Sequence, residues 1–568
     1  MSVVPLPPFN WTALTASTNL TWTPCFEAFG NLQCARLSVP LYYSEPSAGE
    51  AQIALVMSPS NFSAGDSNYK GQILFNPGGP GDSGVQLIVE GGEYFRSIIG
   101  PEYDLVGFDP RSVGGTTPVV SIFKNPAEAL QWYSTYPENL NESDSSFGRA
   151  FAQADILGRL AVDRAKNVSE AVSSPTVASD MFSIMQAFGV DKLNYWGISY
   201  GTVLGSTYAA MYPDHVGRFI IDGVVNAHEW YTGNDTASLA TSDAALASLW
   251  ESCVAAGPTN CALYENSTEL IAARVNKLIA DVHVAPVPIY SDADPSAISF
   301  GVLDYTTLVQ VLYQTTYFPY SHASSFASAL VALEAGNASA VFAGSDTQAV
   351  DALSTCAFDT SKPYVANIMD VELAIACGDA LNPNVSTVQQ AKELYGEIVA
   401  QSPLFGPDAW PTLLGGCTGW SIRGKDRLNG SFVTNTSNPI LVIGNTLDPV
   451  TPLISAKNMS VGFAGSVLLT QNSTGHSSWS GFSSCTAQAV AAYFANGTLP
   501  AAGTMCQPDF AIFEPADGIS SLLRRDANPG TGADLYGAAR ALAGSGLAAR
   551  FGRFARRRAG RRALGQRA

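Results

Sequence analysis

The residues Gly197-Ile198-Ser199-Tyr200-Gly201 place a hydroxyl between two glycines where an apolar run gives way to helix-forming residues. Glycine at both flanks permits a turn too tight for side chains, and the turn lifts the serine above the strand end. The following helix would aim its positive end at the hydroxyl. A serine hydroxyl attacks well only beside a base, and the base needs a carboxylate to fix its tautomer. Gly-x-Ser-x-Gly occurs once in the chain. A Gly-bounded turn with an idle serine is the bland alternative, so the base and acid must be sought elsewhere.

The five histidines are His215, His228, His283, His322 and His476. His215 lies in the surface-type turn "YPDHVGRF", His228 just past a strand end, and His283 and His322 within a helical stretch. His476, in "NSTGHSSW", follows the strand "SVLLTQ" on a Gly/Ser loop suited to a mobile imidazole. Asp448, in "LVIGNTLDPVTP", ends the preceding strand, with Pro449 and Pro452 stiffening its turn; a plain turn cap is the alternative. Negative charge on an attacked carbonyl needs backbone N–H donors. Tyr200, directly after the serine, supplies one. The loop "NPGGPG" supplies another, because Gly78 and Gly79 let the backbone approach unobstructed. No Lys-Ser/Thr follows that loop, which argues against phosphate binding. The chemistry is acyl transfer from a carbonyl substrate through Ser199, needing neither a metal nor an organic cofactor. The absence of Cys-x-x-Cys spacing likewise argues against zinc.

The elements that carry these residues alternate. "GQILFN", "YDLVGF", "LNYWGIS", "VGRFIIDGVV", "PILVIG" and "SVLLTQ" are apolar runs of strand length separated by helical patterns. That rhythm indicates an α/β fold, a mostly parallel sheet covered by helices on both faces. Before it, "ARLSVPLYY" and "AQIALVMS" read as hairpin strands. The chain divides into N-terminal strands (1–70), a first core half (71–225), a mainly helical cap (226–435), a second core half (436–513) and an Arg-rich tail (514–568) expected to be disordered.

Of 568 residues, 46% are hydrophobic and 14% charged, as in a globular chain with much to bury. No apolar run reaches the roughly 18 residues of a membrane span. Net charge is −18, yet eleven Arg from Arg524 onward face only Asp526 and Asp534, leaving the remainder near −27. An acidic body disfavours nucleic acid and favours cationic ligands, including peptide amino termini. Fourteen Asn-x-Ser/Thr sequons, Asn234 among them, suggest a secreted glycoprotein. Two close cysteine pairs, Cys25/Cys34 and Cys253/Cys261, read as small disulfide loops. "MSVVPLPPFNWTALTAS" carries no secretory n- or h-region, so either the start of the gene is missing, the reading that the sequons and cysteine pairs favour, or the protein is intracellular.

With these residues in hand, the chain resembles the secreted tripeptidyl aminopeptidases of the proline iminopeptidase group of α/β-hydrolases. "NPGGPG" is similar to that group's His-Gly-Gly-Pro-Gly loop, with Pro77 in place of His, and "YDLVGFDPRSVGG" to its Asp-x-Arg-Gly segment, with Ser112 replacing the first Gly. The elbow and the strand after it, and the order Ser199, Asp448, His476, match the group as well. The resemblance spans roughly residues 20 to 512 and is specific in the two core halves.

It implies an α/β-hydrolase core with a large helical cap. It also implies a serine exopeptidase acting on peptides with a free N-terminus, whose amine is held by acidic residues at the cap entrance, with Glu229 and Asp243 as candidates. The implied disulfides are Cys25–Cys34, Cys253–Cys261, Cys377–Cys417 and Cys485–Cys506, leaving Cys356 unpaired. A carboxylesterase or lipase is the alternative, since such a triad does not distinguish ester from amide. A catalytically silent binding protein on the same fold is a third reading.

Overall fold

Strands that read as unbroken apolar runs form the centre of one sheet in the computed structural model. It describes residues 9–513 apart from 138, 234–235, 291–299, 345–367, 381–386, 414–416 and 429. The Arg-rich tail, Cys356 and the sequon at Asn234 lie outside the described residues.

The strands are β1 (Thr23–Cys25), β2 (Leu32–Pro40), β3 (Glu50–Ser58), β4 (Gln72–Asn76), β5 (Asp104–Phe108), β6 (Leu193–Ile198), β7 (Val216–Asp222), β8 (Val287–Tyr290), β9 (Phe300–Leu303), β10 (Leu441–Leu447), β11 (Val467–Thr474) and β12 (Met505–Cys506). Ten of them pair in the order β1-β2-β3-β5-β4-β6-β7-β10-β11-β12, while β8 and β9 form a separate hairpin. β1, β2 and β3 pair antiparallel, β3 meets β5 antiparallel, and every pair from β5 to β12 is parallel. The parallel strands are apolar on both sides because helices cover both faces. β4 shows the two-residue alternation. Leu74 packs with helices Ser174–Ala187 and Tyr200–Met211, whereas Ile73 and Phe75 pack with helices Gly84–Ile99 and Ser484–Asn496.

The "DPR" turn after β5 fastens the layers. Asp109 accepts from Ser83 Oγ (2.5 Å), the Val85 N–H (3.2 Å) and the Gly115 N–H (2.8 Å). Arg111 is buried and pairs bidentately with Asp180, Nε–Oδ2 2.7 Å and Nη2–Oδ1 2.7 Å. Its remaining donors go to the carbonyls of Pro40, Leu41 and Ala171.

Between β7 and β10 the described chain is mainly helical, and it buries itself in two places. Helices Ser242–Asn260, Thr268–Val284, Tyr305–Tyr317 and Pro319–Glu334 share a cluster around Leu249, Leu308, Leu312 and Leu330, which Ile512 and Phe513 join from beyond β12. Met369, Ile375, Trp420 and Phe432 instead join the cluster on the Leu74 face of the sheet. The four implied cysteine pairs are disulfide-bonded. No helix among the described residues is long and apolar enough to cross a membrane.

Candidate active site

Ser199 stands at the end of β6, and its backbone (φ 57°, ψ −126°) lies where non-glycine residues are strained by about 1–3 kcal/mol. The surroundings enforce that geometry. A Cβ on Gly197 would lie 2.3 Å from the Gly201 carbonyl oxygen, and one on Gly201 would lie 2.6 Å from that of Asn76. The Ser199 N–H donates to the Asp222 carbonyl (3.0 Å), and the Ser199 carbonyl accepts from Thr202 N–H (2.8 Å) and Thr202 Oγ1 (2.6 Å). The helix Tyr200–Met211 starts at once, so the hydroxyl sits at its positive end.

The Gly/Pro loop after β4 lies against this elbow. A Cβ on Gly78 would fall 2.5 Å from the Ile198 carbonyl oxygen and 2.9 Å from Ser199 Cβ. The Gly78 N–H donates to Asn76 Oδ1 (3.0 Å), whereas the Tyr200 N–H is in a first helical turn, where backbone donors lack an intrahelical acceptor. The Tyr200 side chain runs inward to a polar network. Ser174 Oγ donates to Asp379 Oδ2 (2.6 Å), so Tyr200 donates its proton to Ser174 (2.6 Å). Trp230 Nε1 also donates to Asp379 (2.9 Å), whose carboxyl burial pushes up to about 6.

Asp448 follows the last residue of β10 and is fully buried. It accepts from Val450 N–H (3.0 Å), Thr451 N–H (2.8 Å), Thr451 Oγ1 (2.7 Å) and Ser477 N–H (2.8 Å). His476 follows β11 by two residues, and its Nδ1 lies 3.0 Å from Asp448 Oδ2 and 3.1 Å from Oδ1. With Nδ1–H donated to the carboxylate, Nε2 is left as the lone-pair nitrogen. Burial pushes the Asp448 carboxyl up, but the His476 charge and the hydrogen bonds outweigh it and hold it below the usual range.

Helices of the insertion brace both loops. Thr241 Oγ1 donates to the Asp448 carbonyl, and Ser242 Oγ (2.5 Å) and Tyr313 OH (3.3 Å) donate to that of Pro449. The Tyr317 carbonyl accepts from His476 N–H (2.9 Å), and the Tyr317 ring meets the imidazole edge-on at 5.3 Å.

Glu229 is half-buried on the short helix Ala227–Thr232, directly past β7, and accepts from Asn226 Nδ2 (2.9 Å). Burial pushes its carboxyl up, against the Asn226 amide and the Ala237 backbone. Asp243 is exposed in the first turn of helix Ser242–Asn260 and accepts from Ser402 Oγ (2.5 Å). The other histidines are engaged away from Asp448. His215 Nδ1 bonds the Asp191 carbonyl oxygen (2.7 Å), His228 meets Phe432, and His283 stacks on Tyr305, while His322 lies on helix Pro319–Glu334. Sequence reasoning missed Asp222, Thr451 and Asp379. Asp222 had the same signal as Asp448, an acid ending an apolar parallel strand.

Two family models match the chain: an α/β hydrolase fold model over residues 72–243 and a TAP-like protein model over 402–506. The tripeptidyl aminopeptidase of Streptomyces lividans is 27% identical over 519 residues, covering 87% of this chain and 88% of that protein. The serine protease Hip1 of Mycobacterium tuberculosis is 26% identical over 525 residues (85% and 90%). Carboxylesterase B of the same organism is 26% identical over 505 residues (86% and 90%). Among solved structures, the proline iminopeptidase of Mycobacterium smegmatis aligns with TM-score 0.29 at 10% identity, over 82% of this chain and all of that one.

Proposed function

This chain is a TAP-like α/β-hydrolase, and on that premise we propose that Ser199, His476 and Asp448 make it a serine exopeptidase that releases short peptides from free N-termini. The observation that carries the reading is the Asp448–His476 pair at 3.0 Å, which follows β10 and β11 of the same sheet in which, one strand (β7) away from β10, β6 ends in the strained Ser199 elbow.

His476 Nε2 takes the proton of Ser199 Oγ as the oxygen bonds to the scissile carbonyl carbon. Asp448 holds the imidazole in the required tautomer and stabilises its charged form. The oxyanion is met by the Tyr200 N–H and by the loop carrying Gly78 and Gly79. His476 then returns the proton to the leaving amine nitrogen. The acyl-enzyme is hydrolysed by the same steps with water as nucleophile.

The substrate's ammonium group is held by carboxylates at the entrance formed by the insertion. Glu229 is favoured over Asp243, because it is half-buried beside the elbow strand's neighbour while Asp243 faces solvent. Residues 226–435 act as the cap, with helices 242–334 as its body, whose apolar cluster also takes in Phe405, Ile512 and Phe513. Four disulfides and the sequons support a secreted protein.

A carboxylesterase is the second reading, favoured by the similarity to carboxylesterase B. Parallel assays of an unblocked tripeptide amide, its N-acetylated form and a p-nitrophenyl ester separate the two. The aminopeptidase reading requires turnover of the free peptide that acetylation abolishes. Ester turnover without peptide turnover contradicts it.

A further inference from the structure

The carboxylate at the end of β7 has no part in the triad, yet it joins the triad's two halves. Asp222 is fully buried. Its backbone carbonyl accepts the Ser199 N–H (3.0 Å), and its carboxylate accepts the Ser478 N–H (2.9 Å) and the Ser478 hydroxyl (2.5 Å). One residue thus grips the nucleophile's backbone with its main chain and the loop two residues past His476 with its side chain. The next residue leaves little slack, since a Cβ on Gly223 would fall 3.0 Å from Ser477 Cβ. From β10, Asn445 Nδ2 donates to the carbonyls of Gly475 (2.8 Å) and Ser477 (2.5 Å), fixing that loop to β10, while Asp222 fixes it to the elbow's side.

We infer that Asp222 is a positioning residue for the proposed reaction, holding the His476 loop in register with the Ser199 elbow and placing a second negative charge behind the imidazole. The inference rests on the catalytic reading of Ser199 and His476. The charged and titratable groups that face Asp222 are His476, Asp448 and Tyr94. Burial pushes the Asp222 carboxyl up to about 6, with the Ser478 hydrogen bonds opposing. A buried acid kept partly ionised by two donors costs stability, so its presence calls for a use.

The test uses the whole protein and the variants Asp222→Asn, Ser478→Ala and their combination, with rates expressed per folded molecule from circular dichroism and thermal unfolding. Asp222→Asn should lower kcat on an unblocked tripeptide amide about 10- to 100-fold with KM changed less than about threefold, the range seen when orienting groups are removed. Its acidic limb of kcat/KM should move to lower pH, because the imidazolium loses an anionic neighbour. Ser478→Ala should reproduce part of the kcat loss, and the double variant should lose less than the product of the two, since both cut one contact.

A folded Asp222→Asn protein with wild-type kcat and an unmoved acidic limb overturns the inference, as does full additivity of the pair. If Asp222→Asn does not fold, Ser478→Ala decides by kcat alone. Ser199→Ala separates failures. Activity surviving in that variant sinks the catalytic reading itself, whereas activity lost there but untouched in Asp222→Asn sinks only this inference.

Discussion

Replacing Asp448 by Asn changes one atom at the most crowded acceptor of the site. The carboxylate takes five donors, with the Val450 and Thr451 N–H groups on Oδ1 and Thr451 Oγ1, Ser477 N–H and His476 Nδ1–H closest on Oδ2. An amide offers one oxygen. If that oxygen faces His476, the new NH2 opposes two backbone N–H groups, each of which costs roughly 1–3 kcal/mol when left buried without an acceptor. If the amide is reversed, its NH2 confronts Nδ1–H and drives the imidazole to the tautomer that cannot accept the serine proton. In both orientations the imidazolium formed on proton transfer loses its counter-charge in a fully buried setting.

We expect kcat on the tripeptide amide to fall about 10³- to 10⁴-fold, equivalent to about 4–5.5 kcal/mol in the barrier, while KM stays within a few-fold. Thermal unfolding should drop at the same time. Initial rates on the unblocked substrate, corrected for folded fraction, measure it. A folded Asp448→Asn enzyme within tenfold of wild-type kcat would refute the assignment and point to Asp222 as the orienting acid.

Glu229→Gln should raise KM for the unblocked tripeptide at least tenfold while leaving hydrolysis of a p-nitrophenyl ester within about twofold, because a lost charge-assisted contact is worth about 1.5–3 kcal/mol. Equal losses on both substrates would remove Glu229 from amine recognition. Arg111→Ala should cost about 3–5 kcal/mol in chemical denaturation, since it strands the buried Asp180 carboxylate, and kcat per folded molecule should hold. Asp222 and Asp379 have folded-state values near 6, above the ordinary 3.8. The native state therefore holds more protons than the unfolded one between those values, and both groups add stability as pH falls through that window. Asp379→Asn removes its share, so the variant's unfolding midpoint should fall relative to wild type as pH is lowered from about 6 to 4; a difference that does not change with pH would contradict the burial argument.

Much of this was legible in the residues. "LNYWGIS" and "LVIGNTLDP" betray buried parallel strands because a strand covered on both faces has no polar alternation to display, and they became β6 and β10. The Gly-x-Ser-x-Gly turn could be read from sterics alone, as the 2.3 Å approach at Gly197 makes plain. What spacing could not give was adjacency between distant segments. β7 and β10 are neighbours across more than two hundred residues, and nothing local to "FIIDGVV" says that its aspartate will meet Ser478, the second serine after "GH". The helical stretch after β7 reads as one insertion by rhythm. Yet Met369 and Trp420 pack with the sheet and Leu308 and Leu330 do not, a partition set by tertiary contacts.

The central claim is that Ser199 is the group acylated by substrate, activated through His476. Treating the protein with a fluorophosphonate and mapping the adduct by mass spectrometry tests it most directly. The account predicts one phosphonylated residue, Ser199, formed in step with loss of tripeptide hydrolysis and absent in both Ser199→Ala and His476→Ala. An adduct on another residue, or peptide turnover that persists in Ser199→Ala, would contradict it.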